Sequence, residues 1–318
     1  MPTKALGSDY FDINNYPIHI CKVERMQNIT HPADLTEIEH YHDFIEIALI
    51  LRGQGVQIVD NNEYVVSAGD VFVLQGMQRH YFKDAKGLEI VNIMYDDKFK
   101  NLIPSAVKQM EGYKALFILE PQYRVLHHFK NRLHLDRSDM AKLEYVINTM
   151  ITEQNSRQEG YKIVIANRLQ ELIVLLSRYY SRLEATEAQA LVRIGKVIDF
   201  MESNYNTNIY LDTLAEMSNM STRNFQRIFK KAVGSAPNAY LMQIRLQKAR
   251  KLLRDSDISI ADIAAEIGFT DANYFIKCFK KETGTTPVKF RMRYVVPASE
   301  QLMAPQLSKK GIGTDTTV

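Results

Sequence analysis

The sequence predicts an α+β multidomain chain with a small β-barrel or jelly roll in front, a helical segment behind it, and an all-α back third holding a double helix-turn-helix. Three observations predict this. Short apolar runs broken by Gly, Asn and Asp turns fill 40–95, apolar residues recur at helical spacing between Met140 and Arg182, and the stretch from Leu211 to Pro237 is echoed by that from Ala261 to Pro287.

At 318 residues, 46% apolar and 24% charged, the chain has the composition of a soluble globular protein with room for two or three domains. Residues 1–12 lack a basic stretch followed by an apolar core, and the purest apolar run, Ile47 to Leu51, is far too short to span a bilayer. Cytoplasmic residence and no membrane partner are the expectation. Cys21 and Cys278 stand far apart, which excludes a disulfide framework and leaves free core thiols.

The strands follow in order: Phe44 to Leu51, a turn at Gly53-Gln54-Gly55, Val56 to Val59, a turn at Asp60-Asn61-Asn62, Tyr64 to Val66, Ala68-Gly69-Asp70, Val71 to Leu74, and Leu88 to Tyr95. Side chains alternate along a strand, so His40, His42 and Glu46 share one face, and Arg52 has the same parity. With His80 they line a pocket that both donates and accepts hydrogen bonds, which suits a polyhydroxylated ligand better than an apolar one.

Two helices follow, Met140 to Gln154 and Tyr161 to Arg182. In the second, Ile165, Leu169, Leu172, Ile173 and Leu176 form a stripe that must be covered, by the barrel or by the same helix of a second subunit. The expected organisation is 1–135 effector-binding domain, 136–182 helical dimerisation segment, 183–190 linker, 191–295 DNA-binding domain and 296–318 mobile tail.

The two echoing segments are read at a constant offset of 50, with Asp212 on Asp262, Ala215 on Ala265, Phe225 on Phe275, Phe229 on Phe279, Gly234 on Gly284 and Pro237 on Pro287. In the second copy Ser259 and Asp262 open a short helix with Ile260, Ile263, Ala264 and Ile267 on one face. Gly268 ends it, Thr270 or Asp271 caps the next, and Thr283-Gly284 closes that one. The first copy turns at Ser218-Asn219-Met220 without a glycine, and Ser221 caps its second helix. With the phenylalanines inward, the outward faces carry Thr222, Arg223, Gln226, Arg227 and Lys230 in one copy and Ala272, Asn273, Ile276, Lys277 and Lys280 in the other. Arg can grip guanine in bidentate fashion, Gln and Asn can grip adenine, and lysines near a helix end suit phosphates. Charge divides the same way: 191–295 holds 17 basic against 10 acidic residues, net +7, while 1–190 holds 21 against 25, net −4. The basic third is built for a polyanion.

The run from Gly268-Phe269-Thr270-Asp271 through Tyr274-Phe275, Phe279-Lys280-Lys281-Glu282-Thr283-Gly284 and Thr286-Pro287 to Phe290-Arg291 resembles the signature of the AraC/XylS family of bacterial transcription regulators. Ala272-Asn273 and Lys277 depart from its commonest residues. The stretch from Pro237 to Leu253 is similar to the helix that joins the family's two units, which sets the reading helices in successive major grooves about 34 Å apart. His40-x-His42-xxx-Glu46 running on to Gly53, then Gly69 to His80, resembles the two cupin motifs. The run from His42 to Gly55, with Asn62-Glu63-Tyr64, Ser67 to Phe72 and Leu88 to Tyr95, looks like the sensor domain of L-rhamnose-responsive activators.

The resemblance implies a transcription activator of a sugar-use operon. It is gated by a deoxyhexose such as L-rhamnose at His40, His42, Glu46, Arg52 and His80, acts with RNA polymerase on double-stranded DNA, and is a homodimer. It implies no catalytic residue. No cofactor is expected: His40, His42, Glu46 and His80 are the set a first-row divalent ion would take, but Gln75 and Met77 stand where cupins carry Pro and Gly. The alternative reading is a cupin metalloenzyme for a sugar or small phenol, fused to a DNA-binding module. All eight histidines precede Leu135, so histidine chemistry belongs to the front domain.

Overall fold

The computed structural model describes residues 2–11, 16–24, 38–127 and 133–293, so the expected tail 296–318 lies outside the described residues. These residues form two compact units. One runs to Ser203 and takes in Ile209–Pro237; the other joins Asn204–Asn208 to the residues from Asn238 onward.

In the first unit one curled sheet contains β1 (Thr3–Ala5), β2 (Ile18–Glu24), β3 (His40–His42), β4 (Ile45–Val59), β5 (Asn62–Ser67), β6 (Asp70–Leu74), β7 (His80–Tyr95) and β8 (Leu133–His134). The path is β1-β3-β7-β4-β6-β8, with β2 added to β7 and β5 to β4. The long strands β4 and β7 pair antiparallel along almost their whole length and so carry the shorter strands on both edges. Asp60 and Asn61, both at positive φ, make the two-residue turn that closes the β4–β5 hairpin at Val59↔Asn62. Ala48, Ile50, Val59, Tyr64, Val66, Phe72, Leu74, Phe82, Leu88 and Ile90 fill the interior, each large side chain contributing about 1.5–3 kcal/mol by burial.

The expected turn at Gly53-Gln54-Gly55 is corrected: β4 runs straight through it. Partners on β7 hold the strand, and the surplus backbone is absorbed as bulges between Ile50 and Val56. Gly53 sits there at φ 82°, where a Cβ would stand 2.2 Å from the carbonyl oxygen of Gly87.

After α1 (Gly7–Tyr10) and the sheet come α2 (Asp97–Leu102), α3 (Ser105–Lys108), α4 (Glu111–Tyr113), a π-helical turn (Lys114–Leu119) and α5 (Glu120–His127). The helices α6 (Arg137–Ser156), α7 (Tyr161–Ser181) and α8 (Thr186–Ser203) follow. The stripe Ile165, Leu169, Leu172, Ile173 and Leu176 is wholly buried within the chain, where α6 contributes Leu143, Val146, Ile147 and Met150. It is therefore not a free face for a second subunit, and the large apolar side chains that α6 and α7 leave exposed are Tyr145, Ile163 and Val164. The expected linker 183–190 enters α8 at Thr186, and the Gln189 amide donates to the carbonyls of Ser181 and Leu183 to close the turn.

The first unit also holds α9 (Leu211–Met217) and α10 (Thr222–Val233). The second holds α11 (Pro237–Asp255) from Asn238 on, α12 (Ile260–Glu266), α13 (Ala272–Thr283) and α14 (Pro287–Met292). The core of the second unit joins Leu246, Ala249 and Leu253 of α11 to Ile263, Ala264, Ile267, Phe269, Phe275 and Phe279. Among the described residues no helix is long and apolar enough to cross a membrane.

The constant offset of 50 also needs correction. The reading helices α10 and α13 do lie 50 apart, but α9 and α12 lie 49 apart, so Ala215 matches Ala264 and Asp212 has no counterpart in Asp262. The second turn is one residue longer. Asn219, at φ 52°, takes the left-handed place that Gly268 takes at φ 85°. The backbone closes alike in both, Met220 N–H donating to Ala215 and Phe269 N–H to Ala264.

Candidate functional site

Strand pairing assembles the histidines. His40 sits opposite His80 in the β3–β7 ladder, and Glu46 of β4 points into the same interior. The His40 and His80 rings lie 4.2 Å apart, the His42 and His80 rings 5.0 Å apart, and His42 stacks on Phe44 at 4.2 Å. Each histidine uses Nδ1 on a backbone carbonyl two residues away: His40 on Ile38 (2.9 Å), His42 on Phe44 (2.9 Å), His80 on Gln78 (3.1 Å). A carbonyl only accepts, so Nδ1 carries the proton.

Burial drives the His42 pKa down to about 3, with the neighbouring His40 adding to the effect. Burial likewise pushes His80 well down, helped by His40, His42 and the Arg124 guanidinium. Both rings are thus neutral, and both Nε2 atoms offer lone pairs without a hydrogen-bond partner. They face the Glu46 carboxylate at 3.5 Å from His42 and 4.0 Å from His80. Two unpartnered ring nitrogens facing a carboxylate in this way suit a donor or a cation between them. A polyol hydroxyl meets that need, and so does a metal ion.

The residues also pass a metal test in outline. One ligand atom each from His42, Glu46 and His80 falls within 4.8 Å of the others. Ligands about 2.1 Å from a shared ion can stand no more than about 4.2 Å apart, so the set would have to contract slightly. The Nδ1–carbonyl bonds are the orienting contacts such a site uses.

Arg52 does not join them. Its side chain is 78% exposed and pairs with Glu89 at 3.6 Å, because the bulges after Ile50 break the parity that would have aimed it inward. Sequence parity also missed three interior polar residues: Gln57, Glu120 and Arg124. Gln57 follows the bulges and so has the opposite parity to Glu46, and the other two arrive on a helix from outside the barrel motifs. A cleft lined by Tyr10, Tyr16, His19, Gln154, Arg157 and Tyr161 lies between β2 and the α6–α7 hairpin, and none of His40, His42, Glu46 and His80 lines it.

Each reading helix is pinned by two phenylalanines. Phe225 and Phe229 meet edge to face at 5.5 Å, and Phe275 and Phe279 at 5.7 Å. The caps are Ser221, accepting from Asn224 N–H, and Asp271, accepting from Asn273 N–H. Gly234 and Gly284 close the C-terminal ends in the left-handed region. Arg223, Gln226, Arg227 and Lys230 are exposed on α10, and Asn273, Lys277 and Lys280 on α13. The Arg227 guanidinium donates to Asn224 Oδ1 at 2.8 Å, a residue the outward face had omitted. Thr222 spends its hydroxyl on Asp212 at 2.7 Å. Ala272 and Ile276 are partly buried against the core, so they shape the face more than they offer groups to a base.

A barrel that gathers acceptors around one guest position, joined to two capped helices with cationic and amide-bearing outer faces, defines a ligand-sensing DNA-binding regulator. A helix-turn-helix domain profile matches residues 214–293 and a cupin domain profile matches 29–94. The HTH-type transcriptional activator RhaS of Citrobacter koseri is 28% identical over 256 residues, 80% of this chain and 87% of the relative. The HTH-type transcriptional activator RhaR of Yersinia pseudotuberculosis is 28% identical over 265 residues, 82% of this chain and 86% of the relative. Among solved structures, the DNA-binding domain of AdpA in complex with a target DNA is 29% identical over 32% of this chain and 92% of that one, with a TM-score of 0.31. Apo ToxT from Vibrio cholerae is 14% identical over 90% of this chain and 99% of that one, with a TM-score of 0.32. The chain thus combines an AraC-type helix-turn-helix domain with a cupin domain, and the relatives it resembles are named as transcriptional activators, not enzymes.

Proposed function

We propose that this chain is a sugar-gated activator of a sugar-use operon, acting in the cytoplasm as a homodimer that engages RNA polymerase beside its DNA site. The observation that carries the reading is the convergence of the His42 and His80 lone pairs on Glu46 inside the barrel of a chain with paired reading helices. A neutral deoxyhexose such as L-rhamnose supplies hydroxyl protons to those acceptors. His40 completes the wall. The names of the relatives RhaS and RhaR, both transcriptional activators, support the sign of regulation.

On the DNA side, Arg223, Gln226 and Arg227 of α10 and Asn273 and Lys277 of α13 read base edges, while Lys230 and Lys280 hold phosphates. Residues 191–295 act as the DNA-binding part. A second copy is met through the outer side of α6 and α7, around Tyr145 and Ile163. Effector binding shifts the regulator only as far as its affinity differs between the two arrangements.

The reading is tested by deleting the gene and following a sugar-use reporter. Loss of sugar-dependent transcription supports activation; raised basal expression contradicts it. No cofactor is assigned. Were a divalent ion present, His42, Glu46 and His80 would hold it and it would orient sugar hydroxyls as a Lewis acid.

A further inference from the structure

Further buried polar atoms lie in the barrel interior beside the histidines, Gln57 standing two residues before Val59, which pairs with His80. Gln57 is 0% exposed, and neither its amide nitrogen nor its amide oxygen has a hydrogen-bond partner. It stands opposite Tyr64 on β5 and Phe82 on β7, both residues of the interior core. Arg124 of α5 is 1% exposed. It donates from Nη2 to the Val73 carbonyl at 2.8 Å, and its guanidinium carbon lies 5.9 Å from the Tyr64 ring and 5.1 Å from the Phe72 ring. Nε and Nη1 of Arg124 have no hydrogen-bond partner, nor does Oε1 of Glu120, which sits 3.4 Å from that Nε out of line for a bond. Buried polar groups of native proteins are nearly all satisfied, so such a concentration of orphan donors and acceptors calls for a guest.

The chemistry of the guest follows from the groups. The arginine offers donors, the glutamine amide needs both a donor and an acceptor, and Glu120 needs a donor. Arg124 and Glu120 largely cancel in charge, which leaves no net cation for an anion to answer. Burial raises the Glu120 pKa, in keeping with a site that disfavours further negative charge. A neutral molecule with adjacent hydroxyls fits.

The same segment is also the middle layer of its unit. Toward the sheet, Tyr64 donates its hydroxyl to the Arg124 carbonyl (3.0 Å), Gln75 donates to Phe117 (2.8 Å) and Gln78 to Pro121 (3.3 Å). Toward the first helix-turn-helix, the Tyr123 ring lies 4.8 Å from Lys231 Nζ of α10, and buried Lys114 bridges Asp199 (3.1 Å) and Glu202 (2.7 Å) of α8. Arg124 faces the barrel interior and its neighbour Tyr123 faces the reading helix.

We propose that Gln57, Arg124 and Glu120 form a subsite for a neutral polyhydroxylated effector, and that α5 passes its occupancy to α10 through Tyr123 and Lys231. This rests on the sugar-effector reading above. A guest that takes over hydrogen bonds of Arg124 alters the grip of α5 on Val73, and Tyr123 shifts with it.

The test is calorimetry on the full-length protein with L-rhamnose, L-fucose and L-arabinose, paired with anisotropy on a duplex that the protein retains. Wild type, Gln57→Leu, Arg124→Lys and Tyr123→Leu are compared. Gln57→Leu is informative because its amide has no partner in the fold: it is expected to weaken the sugar by about tenfold or more while leaving the melting temperature unchanged or raised. Arg124→Lys is expected to weaken the sugar likewise. Tyr123→Leu is expected to bind sugar as wild type does and to lose the sugar-dependent change in DNA affinity. Sugar binding by Gln57→Leu within twofold of wild type overturns the subsite, and an intact sugar response in Tyr123→Leu overturns the coupling. Should wild type bind none of the three sugars, it is the sugar-effector reading that fails, and the subsite with it.

Discussion

Asn219 and Gly268 hold the same left-handed turn position in the two helix-turn-helix units, at φ 52° and 85°, although they are 49 residues apart and the helices that follow them are 50 apart. The equivalence predicts unequal tolerance. Asn219→Gly is expected to be nearly neutral and Asn219→Ala to cost about 1 kcal/mol, since Asn visits this region more cheaply than Ala. Gly268→Ala is expected to cost more, because its Cβ would also meet the Asn206 backbone at 2.7 Å. Urea titration of the three variants checks the order.

On the reading helices, Arg227→Ala and Lys277→Ala are each expected to weaken specific binding by about 1–3 kcal/mol, and to relax preference at one base position. Lys230→Ala is expected to weaken all duplexes alike and to lower the salt slope by about 0.9. Anisotropy across a salt series separates the two behaviours. A uniform loss for Arg227→Ala would remove it from base reading.

Burial of His42 and His80 ties stability to pH. The folded His42 titrates at about 3 against 6.5 for the ordinary side chain, and His80 is depressed too, so the unfolded chain binds more protons throughout that window. Stability is therefore full above about pH 7 and falls as pH drops, by at most about 1.4 kcal/mol per pH unit for each ring. Glu120, raised by burial, works in the opposite sense just above the usual carboxylate range. The check is urea unfolding at pH 7, 6 and 5, where His42→Gln should show a shallower decline than wild type. An equal decline would mean that the ring titrates alike in the folded and unfolded chain.

The acceptor cluster separates a hydroxyl guest from an ion. Protein purified without tag or chelator is expected to carry less than about a tenth of an equivalent of any first-row metal, given ligand atoms spread to 4.8 Å. Near-stoichiometric metal in elemental analysis, lost in Glu46→Gln, would replace the hydroxyl reading by a metal centre.

Much of this was legible in the sequence because local chemistry decided it. Phe225, Phe229, Phe275 and Phe279 at four-residue spacing, with Ser221, Asp271, Gly234 and Gly284 as caps, specify both reading helices before any packing is known. His40, His42 and Glu46 share a face by strand parity alone. What escaped depended on distant partners. The bulges that β7 imposes on β4 turned Arg52 outward and brought Gln57 in, and no local signal in Gly53-Gln54-Gly55 distinguishes a bulge from a turn. Arg124 enters the barrel from a helix that carries no motif. The stripe on α7 was visible, but whether α6 or another subunit covers it is a tertiary matter.

The central claim is tested most directly by sequencing the duplexes that the full-length protein retains from a random library at low ionic strength, with and without L-rhamnose. Enrichment of one shared sequence, with retention that changes severalfold on adding the sugar, is the predicted result. Retained duplexes indistinguishable from the input library would contradict it.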